Sequence, residues 1–572
     1  MNRARNCGRL RSTRWCLAVM IVVFLSACGG GGSGGSSSVA TPTPPPTNPP
    51  ALNRDQLIDA SKFASRASFG LSFAEVTTLA RDGRDSWLDQ QFALPIGRHV
   101  PTVDKLVQRR AAGEFAALEE DIEYLAQFRR LAWWHCAVTC EDVLRQRVAF
   151  ALSEIFVVSD NVDALIVYPY ALSTYYDTLL ENAFGDYREL LRDVALHPAM
   201  GVYLSHVNNA KSNPVANTFP DENFAREVMQ LFSIGLFELN VDSSVQLDGN
   251  DLPIPTYDNN DIREFAKIFT GFSYAGPRAF FGNPEPYFRE PMQMFDAHHE
   301  PGEKRLLKGA TVPAGQTGLQ DFDAAIDNLF NHPNVGPFIG KQLIQRLVTS
   351  NPSPAYVQRV ARVFNADAGG VRGDMQAVIR AILTDPEALA ASDPTTHFGK
   401  LREPVVRYLN ILRLFGATSD DEFIANSGYV LQELSRQHPL SSPSVFNFFL
   451  PTYSPPGEIA AAELVAPELQ IVDSSTVINM VNLLDFVLFG DFVTDAPSPF
   501  APVSLQLDEL QTLAADVDEL IERLDILLTY GTLNAASRSA IRGILIDLPD
   551  ADIRVRLAIY MFLMSPDYVV EL

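Results

Sequence analysis

Apolar residues recur at intervals of three and four along most of the chain between about residue 51 and residue 572. This spacing gathers apolar side chains on one face of an α-helix. It is clearest in RQRVAFALSEIFVV (145–158), NDIREFAKIFTGF (260–272), FDAAIDNLFNH (322–332), PFIGKQLIQRLV (337–348), AYVQRVARVFNA (355–366) and GDMQAVIRAILTDP (373–386). Strand-like alternation is scarce, and PYFREPMQMFDA (286–297) is the best candidate for a short hairpin. The sequence therefore predicts a mainly α fold, a multi-helix globular body with long ordered loops and at most a small β-hairpin.

The region 240–320 differs from the rest because it is rich in Asn, Asp, Gly and Pro. This composition predicts long ordered loops, and such loops in compact proteins tend to be functional. The body 51–572 has three candidate parts, 51–215, 216–400 and 401–572. Whether these parts are separate or share one core is left open by the sequence.

The N-terminus carries the features of an export signal. Five arginines precede the apolar run CLAVMIVVFL (16–25), and the sequence LSAC ends at Cys28. Residues 1–27 therefore resemble a bacterial lipoprotein signal peptide, which implies cleavage before Cys28 and lipidation of its thiol. The alternative is an ordinary signal peptide in which the cysteine is incidental. Residues 28–50 are rich in Gly, Ser and Pro and predict a tether with nothing to bury.

The composition restricts the partners of the body. The formal net charge is −24, which argues against binding to nucleic acid. Outside the leader there is no apolar run long enough to span a bilayer. We therefore expect attachment to the membrane through lipid on Cys28 alone. The expected location is the cell envelope, at the outer membrane or facing the periplasm, since Gly29 is not the Asp that retains enteric lipoproteins at the inner membrane.

Two cysteines remain in the body, in the segment WWHCAVTCED. In an oxidising compartment, an isolated close pair such as Cys136 and Cys140 indicates a disulfide. A soft-metal site with His135 is the alternative, but zinc needs more ligands than lie nearby. Because four residues on a regular helix are an awkward reach for this bond, a bend or a helix end is implied there.

The segment FPDENFAREVMQLFSIG (219–235) combines an apolar face with a dense polar face. Pro220 suits a first helical position, and the acids that follow it suit a first turn. Glu222 can pair with Arg226, and Asn223 with Glu227, because each pair is four residues apart. The polar face is therefore either an exposed surface with ordinary pairs or the floor of a site, and Glu222, Asn223, Arg226 and Glu227 are the candidate catalytic residues.

A second polar cluster lies in FDAHHEPGEK. Asp296, His299 and Glu300 are candidate ligands for a divalent metal, because imidazole and carboxylate groups bind such ions. The spacing matches no specific zinc signature, so a merely polar loop is the alternative. The cofactor is left unknown, with a divalent metal as the possibility. The chain also lacks a Walker loop, a dinucleotide fingerprint, an H-E-x-x-H motif and a nucleophile elbow.

Several long segments together resemble the bacterial family catalogued as domain of unknown function 1800 (DUF1800). They are RQRVAFALSEIFVVSD (145–160), HPAM..YL (197–204), DENFAREVMQLFSIG (221–235), YDNNDIREFAKIFTGF (257–272), HEPGEKRLLKG (299–309), FIGKQLIQRLV (338–348), LSSPSVFNFFLP (440–451) and LMSPDYVVEL (563–572). The resemblance implies an exported bacterial protein. It also implies a possible exported partner from the sulfatase-like family of domain of unknown function 1501 (DUF1501).

The family resemblance transfers no agreed reaction and no catalytic residue. It does place the polar residues 222–227, Asp261 and His299 at positions that match the family pattern. The chain departs from that pattern at Glu300, where Asp is common, and at Phe272, where Trp is usual. A defined motif favours buried or half-buried polar residues with specific partners over a freely solvated face.

Two functions are consistent with these features. The preferred hypothesis is a binding or assembly factor that works with an exported partner, its polar helix held in a buried ion-pair network. The alternative is an extracytoplasmic hydrolase, either metal-dependent or metal-free, that uses the 222–227 helix and the 296–303 loop. In it, Glu222 or Glu227 is the acid/base or a ligand, His299 a ligand or base, Arg226 an anion clamp and Asn223 an orienting group. The alternative requires the helix and the loop to meet in one cleft.

Overall fold

The computed structural model describes residues 52–114, 123–276, 279–281, 285–390, 397–424, 429–490 and 500–572. Cys28, the predicted signal peptide 1–27 and the tether 28–50 lie outside these residues. The range Leu52–Leu572 forms one compact unit.

Helices account for most of the described chain, so the predicted mainly α fold is confirmed. In the first half they are α1 Arg54–Ala67, α2 Phe73–Asp82, α3 Arg84–Ala93, α4 Val100–Ala111, α5 Glu123–Thr139, α6 Val143–Ser153, α7 Asp163–Ile166, α8 Pro169–Asn182, α9 Tyr187–Leu196, α10 Pro198–Tyr203, α11 Asn223–Gln230 and α12 Asn259–Ile268. In the second half they are α13 Gly318–Phe330, α14 Val335–Leu347, α15 Pro354–Asn365, α16 Met375–Leu383, α17 Pro404–Leu414, α18 Tyr429–Ser435, α19 Glu458–Ala461, α20 Ser474–Phe489, α21 Asp508–Leu513, α22 Val517–Leu524, α23 Ala535–Leu545, α24 Ala551–Met564 and α25 Pro566–Val569.

The strands form short antiparallel pairs of two residues each. The pairs are β1 Phe272–Ser273 with β2 Gln293–Met294, β3 Lys304–Arg305 with β4 Thr311–Val312, β5 Lys400–Leu401 with β8 Val570–Glu571, and β6 Thr418–Ser419 with β7 Val503–Ser504. The hairpin predicted within 286–297 is wrong, because its strand β2 pairs with β1 across a longer connection. Backbone bonds fix that choice: Met292 N–H donates to the Leu196 carbonyl, and Phe295 N–H donates to the Gly271 carbonyl.

One hydrophobic core runs through all three candidate parts of the body. Trp133 and Trp134 from the first part, Ile339 from the second and Phe562 from the third belong to the same cluster of buried side chains. The parts 51–215, 216–400 and 401–572 therefore share one core. In the described part of the chain, no helix has both the length and the apolar character needed to cross a membrane.

A group of buried charges crosses this core, and we call it the Arg346 network: Glu154, Arg346, Lys400, Glu403 and Glu468. Arg346 Nη2 donates to the Glu154 carbonyl at 2.9 Å, and Arg346 Nε lies 3.7 Å from Glu154 Oε2. Lys400 Nζ donates to the Arg346 carbonyl at 2.7 Å and lies 3.2 Å from Glu468 Oε1. Three acids and two bases are thus neutralised largely by one another inside the protein.

Polar side chains outside the network donate to two of its acids, while one oxygen of each glutamate has no described hydrogen-bond partner. Gln437 Nε2 donates to Glu403 Oε2 at 2.6 Å, and Asn447 Nδ2 donates to Glu154 Oε1 at 3.3 Å. Burial and the neighbouring Glu403 raise the pKa of Glu154 to about 8, although Arg346 acts in the opposite direction. Burial and the nearby carboxylate therefore favour the neutral form of Glu154.

Removal of the central cation of the network is expected to destabilise the whole fold. Arg346→Met should lower the free energy of unfolding by about 3–5 kcal/mol, because it leaves buried acids without their partner. The matched control is Arg542→Met, which breaks an exposed pair with Asp518 and should cost less than about 1 kcal/mol. Urea unfolding followed by circular dichroism measures both values. Equal stability of the two variants would contradict a stabilising role for the buried network.

Candidate functional site

The start of helix α11 is set by contacts just before it. Asn223 N–H donates to the Asp221 carboxylate at 2.8 Å, and Asp221 N–H donates to Asn209 Oδ1 at 2.9 Å. These bonds hold Asp221 outside the helix, so α11 begins at Asn223 with Glu222 at its N-cap position. The sequence-based start at Pro220 is therefore three residues early. The helix forms because Phe224 and Val228 lie on one apolar face that packs into the core.

The first pair predicted on this helix lies at the surface. Arg226 Nη2 is 3.5 Å from Glu222 Oε2, and both side chains are 41% exposed. Arg263 Nε approaches the same carboxylate to 3.7 Å. Exposed pairs of this kind contribute about 0–1 kcal/mol. Glu222 and Arg226 therefore do not form the buried ion-pair network that the binding hypothesis required, and Asn223 is exposed as well.

Glu227 has a different environment from Glu222. Its side chain points towards the core, and the residue is only 6% exposed. Its Oε2 has no hydrogen-bond partner among the described residues, so the predicted pair with Asn223 does not satisfy it. Burial raises the pKa of Glu227 above its ordinary value, and the charge of Arg226 opposes this shift. Burial thus favours the neutral form of Glu227, and its buried oxygen is short of a partner.

Two tyrosines interact with the charge of Glu227, and a serine lies beside one of them. Burial raises the pKa of Tyr203 to about 12, a hydrogen bond with Ser442 lowers it in part, and the charge of Glu227 raises it further. Burial and the charge of Glu227 also raise the pKa of Tyr257 to about 12. Tyr257 Oη donates to Gln230 Oε1 at 3.3 Å. We call this group, with Glu227 at its centre, the Glu227 site.

Sequence reasoning identified Glu227 but missed the residues around it. Tyr203 and Ser442 lie in HPAMGVYL and LSSPSVFNFFLP, and Tyr257 opens YDNNDIREFAKIFTGF, so all three belong to segments that carry the family resemblance. No spacing rule joins them to Glu227, because they come together only through tertiary packing. The segments that contain these residues can be recognised in the sequence. The sequence does not show that these segments pack together.

His299 of the 296–303 loop is held in place by hydrogen bonds from both ring nitrogens. His299 Nδ1 lies 2.9 Å from the Thr270 carbonyl oxygen, and Nε2 lies 3.0 Å from Asp321 Oδ2. Lys304 Nζ donates to the same carboxylate oxygen at 2.5 Å. Burial alone would raise the pKa of Asp321, but hydrogen bonds from Lys304, His299 and Gln316 hold it below its ordinary value. With both ring nitrogens engaged, His299 has no free lone pair directed at a metal.

The other two proposed ligands accept backbone hydrogen bonds in separate places. Asp296 Oδ1 accepts from Gly318 N–H at 2.7 Å at the start of α13, and Glu300 Oε2 accepts from Ser212 N–H at 3.0 Å. Within the ranges that the structure describes, Asp296, His299 and Glu300 do not form a set of converging ligand atoms. Nor does a described hydrogen bond or ion pair link His299 to Glu227. The geometry therefore gives no support to a metal at this loop or to one cleft shared with α11.

The two body cysteines lie at the end of α5. Their sulfur atoms are joined in a disulfide, and Cys140 follows the last residue of the helix, Thr139. Potential ligand atoms of Cys136, Cys140 and Asp142 lie within 4.8 Å of one another. The disulfide removes the thiolates that a soft metal would need. His135 is oriented elsewhere, because its Nδ1 accepts Ile424 N–H at 3.2 Å.

Neutralising Glu227 is expected to stabilise the protein. A carboxyl group with a raised pKa stabilises the fold most below its unfolded pKa of about 4.3, and this contribution is lost as pH rises through the folded pKa. Glu227→Gln should therefore be more stable than the native protein by about 1 kcal/mol at pH 7, with the difference disappearing towards pH 4. Thermal and urea unfolding between pH 4 and pH 8 measure this profile.

The control for this experiment is Glu222→Gln, which removes the same charge from the exposed face of the same helix. It should change stability by less than about 1 kcal/mol. If Glu227→Gln is instead less stable than the native protein at pH 7, Glu227 has a stabilising partner and is not a free group awaiting a ligand.

Comparison with known proteins identifies the family. The family model described as "Protein of unknown function (DUF1800)" matches residues 62–570, a range that contains α11, the Glu227 site and the 296–303 loop. No curated protein and no solved structure matches the chain. The resemblance carried by the sequence segments is thereby confirmed, and the chain belongs to the DUF1800 family.

Proposed function

We propose that the protein is a binding protein of the cell envelope that takes up a hydroxyl-rich ligand, such as a saccharide, at the Glu227 site. The observation that carries the proposal is the buried Glu227 Oε2, which has no hydrogen-bond partner among the described residues. A buried carboxylate without a partner costs the fold free energy. A ligand hydroxyl that donates to this oxygen would remove that cost when it binds.

The neighbours of Glu227 suit a ligand with many hydroxyl groups. Tyr203 and Tyr257 are half-buried, so each offers part of an aromatic ring together with a polar end. Gln230 and Arg226 add an amide and a guanidinium group that are partly exposed beside them. Small-molecule sites typically combine aromatic surface with a small number of polar groups in defined positions.

Binding is favoured over hydrolysis because no second carboxylate acts on the pKa of Glu227 among the residues that the structure describes. Most glycoside hydrolases use two carboxyl groups about 5–9.5 Å apart. Burial and Arg226 account for the shift in the pKa of Glu227, and no other carboxylate in the described part of the chain contributes to it. Hydrolysis remains the second candidate, since a raised pKa is what a general acid requires. In that case Glu227 would give its proton to the leaving oxygen.

The proposal predicts saccharide binding that depends on Glu227. The purified full chain is applied to a glycan array with peptidoglycan fragments and bacterial surface oligosaccharides, and the strongest binder is then titrated by calorimetry. Glu227→Gln should weaken its affinity by about ten-fold or more, because a charge-assisted hydrogen bond is lost. Glu222→Gln, the control on the same helix, should stay within about two-fold of the native protein.

The outcomes of this experiment are distinct. Failure of the native protein to bind any glycan, or equal affinity of Glu227→Gln and the native protein, contradicts the proposal. Release of new reducing ends by the native protein, with a Glu227→Gln variant that binds but does not cleave, would establish the hydrolase instead.

The cell-envelope location is part of the same proposal, and it rests on the N-terminal sequence. The arginine-rich leader, the apolar run and LSAC support export and lipidation at Cys28. Cys28→Ser should therefore abolish incorporation of labelled palmitate and move the protein from the membrane fraction to the soluble fraction of its bacterial host. Cys136→Ser, which leaves the N-terminus intact, is the control. A Cys28→Ser protein that still fractionates with membranes would refute lipid anchoring.

A further inference from the structure

A concave site lies among residues that do not belong to the Glu227 site. It is a pocket of about 390 Å³ between the segment that follows α11, helix α14, and residues near Asn351, Pro451 and Val465. Sites for small ligands have volumes of roughly 300–1,000 Å³. Nothing in the function proposed above uses this pocket, so its lining has to be explained separately.

The polar end of the pocket presents two hydrogen-bond donors without acceptors. Gln342 is 9% exposed, and its Nε2 has no partner among the residues that the structure describes. The neighbouring Lys341 is half-buried in the same lining, and no described acid lies within ion-pair distance of its ammonium group. Burial lowers the pKa of Lys341, with no neighbouring charge offsetting it. Both groups would gain from an acceptor, and a negatively charged acceptor would gain most.

Other residues of the lining are apolar and partly open to solvent. Leu236 is 48% exposed, Phe237 41% and Val245 41%, and all three line the pocket together with Phe338. Exposed apolar groups that cluster beside a pocket mark a binding surface more often than scattered ones. The ligand that fits has an acidic end for Lys341 and an apolar body for these apolar residues.

The pocket is held open by its own framework. Gly235 has φ +71°, and a side chain there would meet the Phe338 ring at 2.8 Å, so only glycine permits this close approach. On the other side, Gln345 Nε2 donates to the carbonyls of Ser350 and Pro451 at 3.0 and 3.1 Å. Asn351 exchanges two hydrogen bonds with the backbone of Val465, each at 2.9 Å. These contacts are already made without a ligand.

We infer that this pocket binds a small amphiphile, with its carboxylate on Lys341 and Gln342 and its apolar body against Leu236, Phe237 and Val245. Glu463 also lines the pocket, but it is exposed, and water and salt screen its repulsion of an acid. Such a carboxylate is found in a free fatty acid and at the C-terminus of an apolar peptide. The two sources share the chemistry that the pocket recognises.

Calorimetric titration of the full chain with octanoate, octylammonium and 1-octanol tests the inference, because the three probes share one chain and differ in the head group. Octanoate should bind about ten-fold or more tightly than the other two. Lys341→Met and Gln342→Met should each weaken octanoate binding, the first by about ten-fold, while both keep the side-chain length. Lys211→Met, which removes an exposed lysine elsewhere, should stay within about two-fold of the native protein.

Each outcome decides the inference. Equal binding of octanoate and octylammonium, or native affinity in Lys341→Met with a native melting temperature, overturns it. If octanoate does not bind, a soluble apolar tripeptide is tested with a free C-terminus and with an amidated one. Binding of the free form alone supports the inference and assigns the peptide source, whereas failure of both forms overturns it. Glu227→Gln should bind octanoate like the native protein, so this result is independent of the saccharide proposal.

Discussion

The buried charges around Arg346 are the constraint on which the rest of this structure depends. Charges away from water are tolerated only if each meets a partner in a fixed geometry. Arg346 meets Glu154 from helix α6's end, while Lys400 in β5 meets Glu468 from a distant part of the chain. Glu154 and Arg346 are 192 residues apart in the chain, so their contact ties distant segments together. A hydrophobic core alone would tolerate small shifts between such segments, but the directional contacts of this network do not.

The segment 440–451 connects the Arg346 network with both candidate sites. Asn447 reaches into the network through its bond to Glu154, and its backbone has a positive φ of 65° to do so. At one end of the segment, Ser442 bonds Tyr203 at the Glu227 site. At the other end, the Pro451 carbonyl accepts a hydrogen bond from Gln345, and both residues line the pocket that contains Lys341. A polar network in the core therefore positions loop residues at the surface, where binding groups are expected.

The sequence predicted the features that depend on interactions between neighbouring residues. It did not predict the features that depend on tertiary contacts. Periodicity predicted the helices, since apolar spacing along one helix needs no knowledge of its neighbours. The start of α11 was misplaced because Asn209, twelve residues before Asp221, determines where the helix begins. The 286–297 hairpin failed for the same reason, since its strand found a partner at Phe272. Glu227 could be proposed from the sequence, but its tyrosine neighbours follow from tertiary packing alone.

Glu227 and His299 show why residue type cannot decide function. Both are buried and both lie in the range that the family model matches. His299 has both ring nitrogens engaged by Thr270 and Asp321, whereas Glu227 Oε2 has no described partner. An unsatisfied buried polar atom costs about 1–3 kcal/mol, so a ligand that donates a hydrogen bond to it removes that cost. Local conflicts of this kind are expected where a protein binds or reacts. The satisfied cluster is therefore assigned to stability, and the unsatisfied carboxyl group is the place where a ligand can gain free energy.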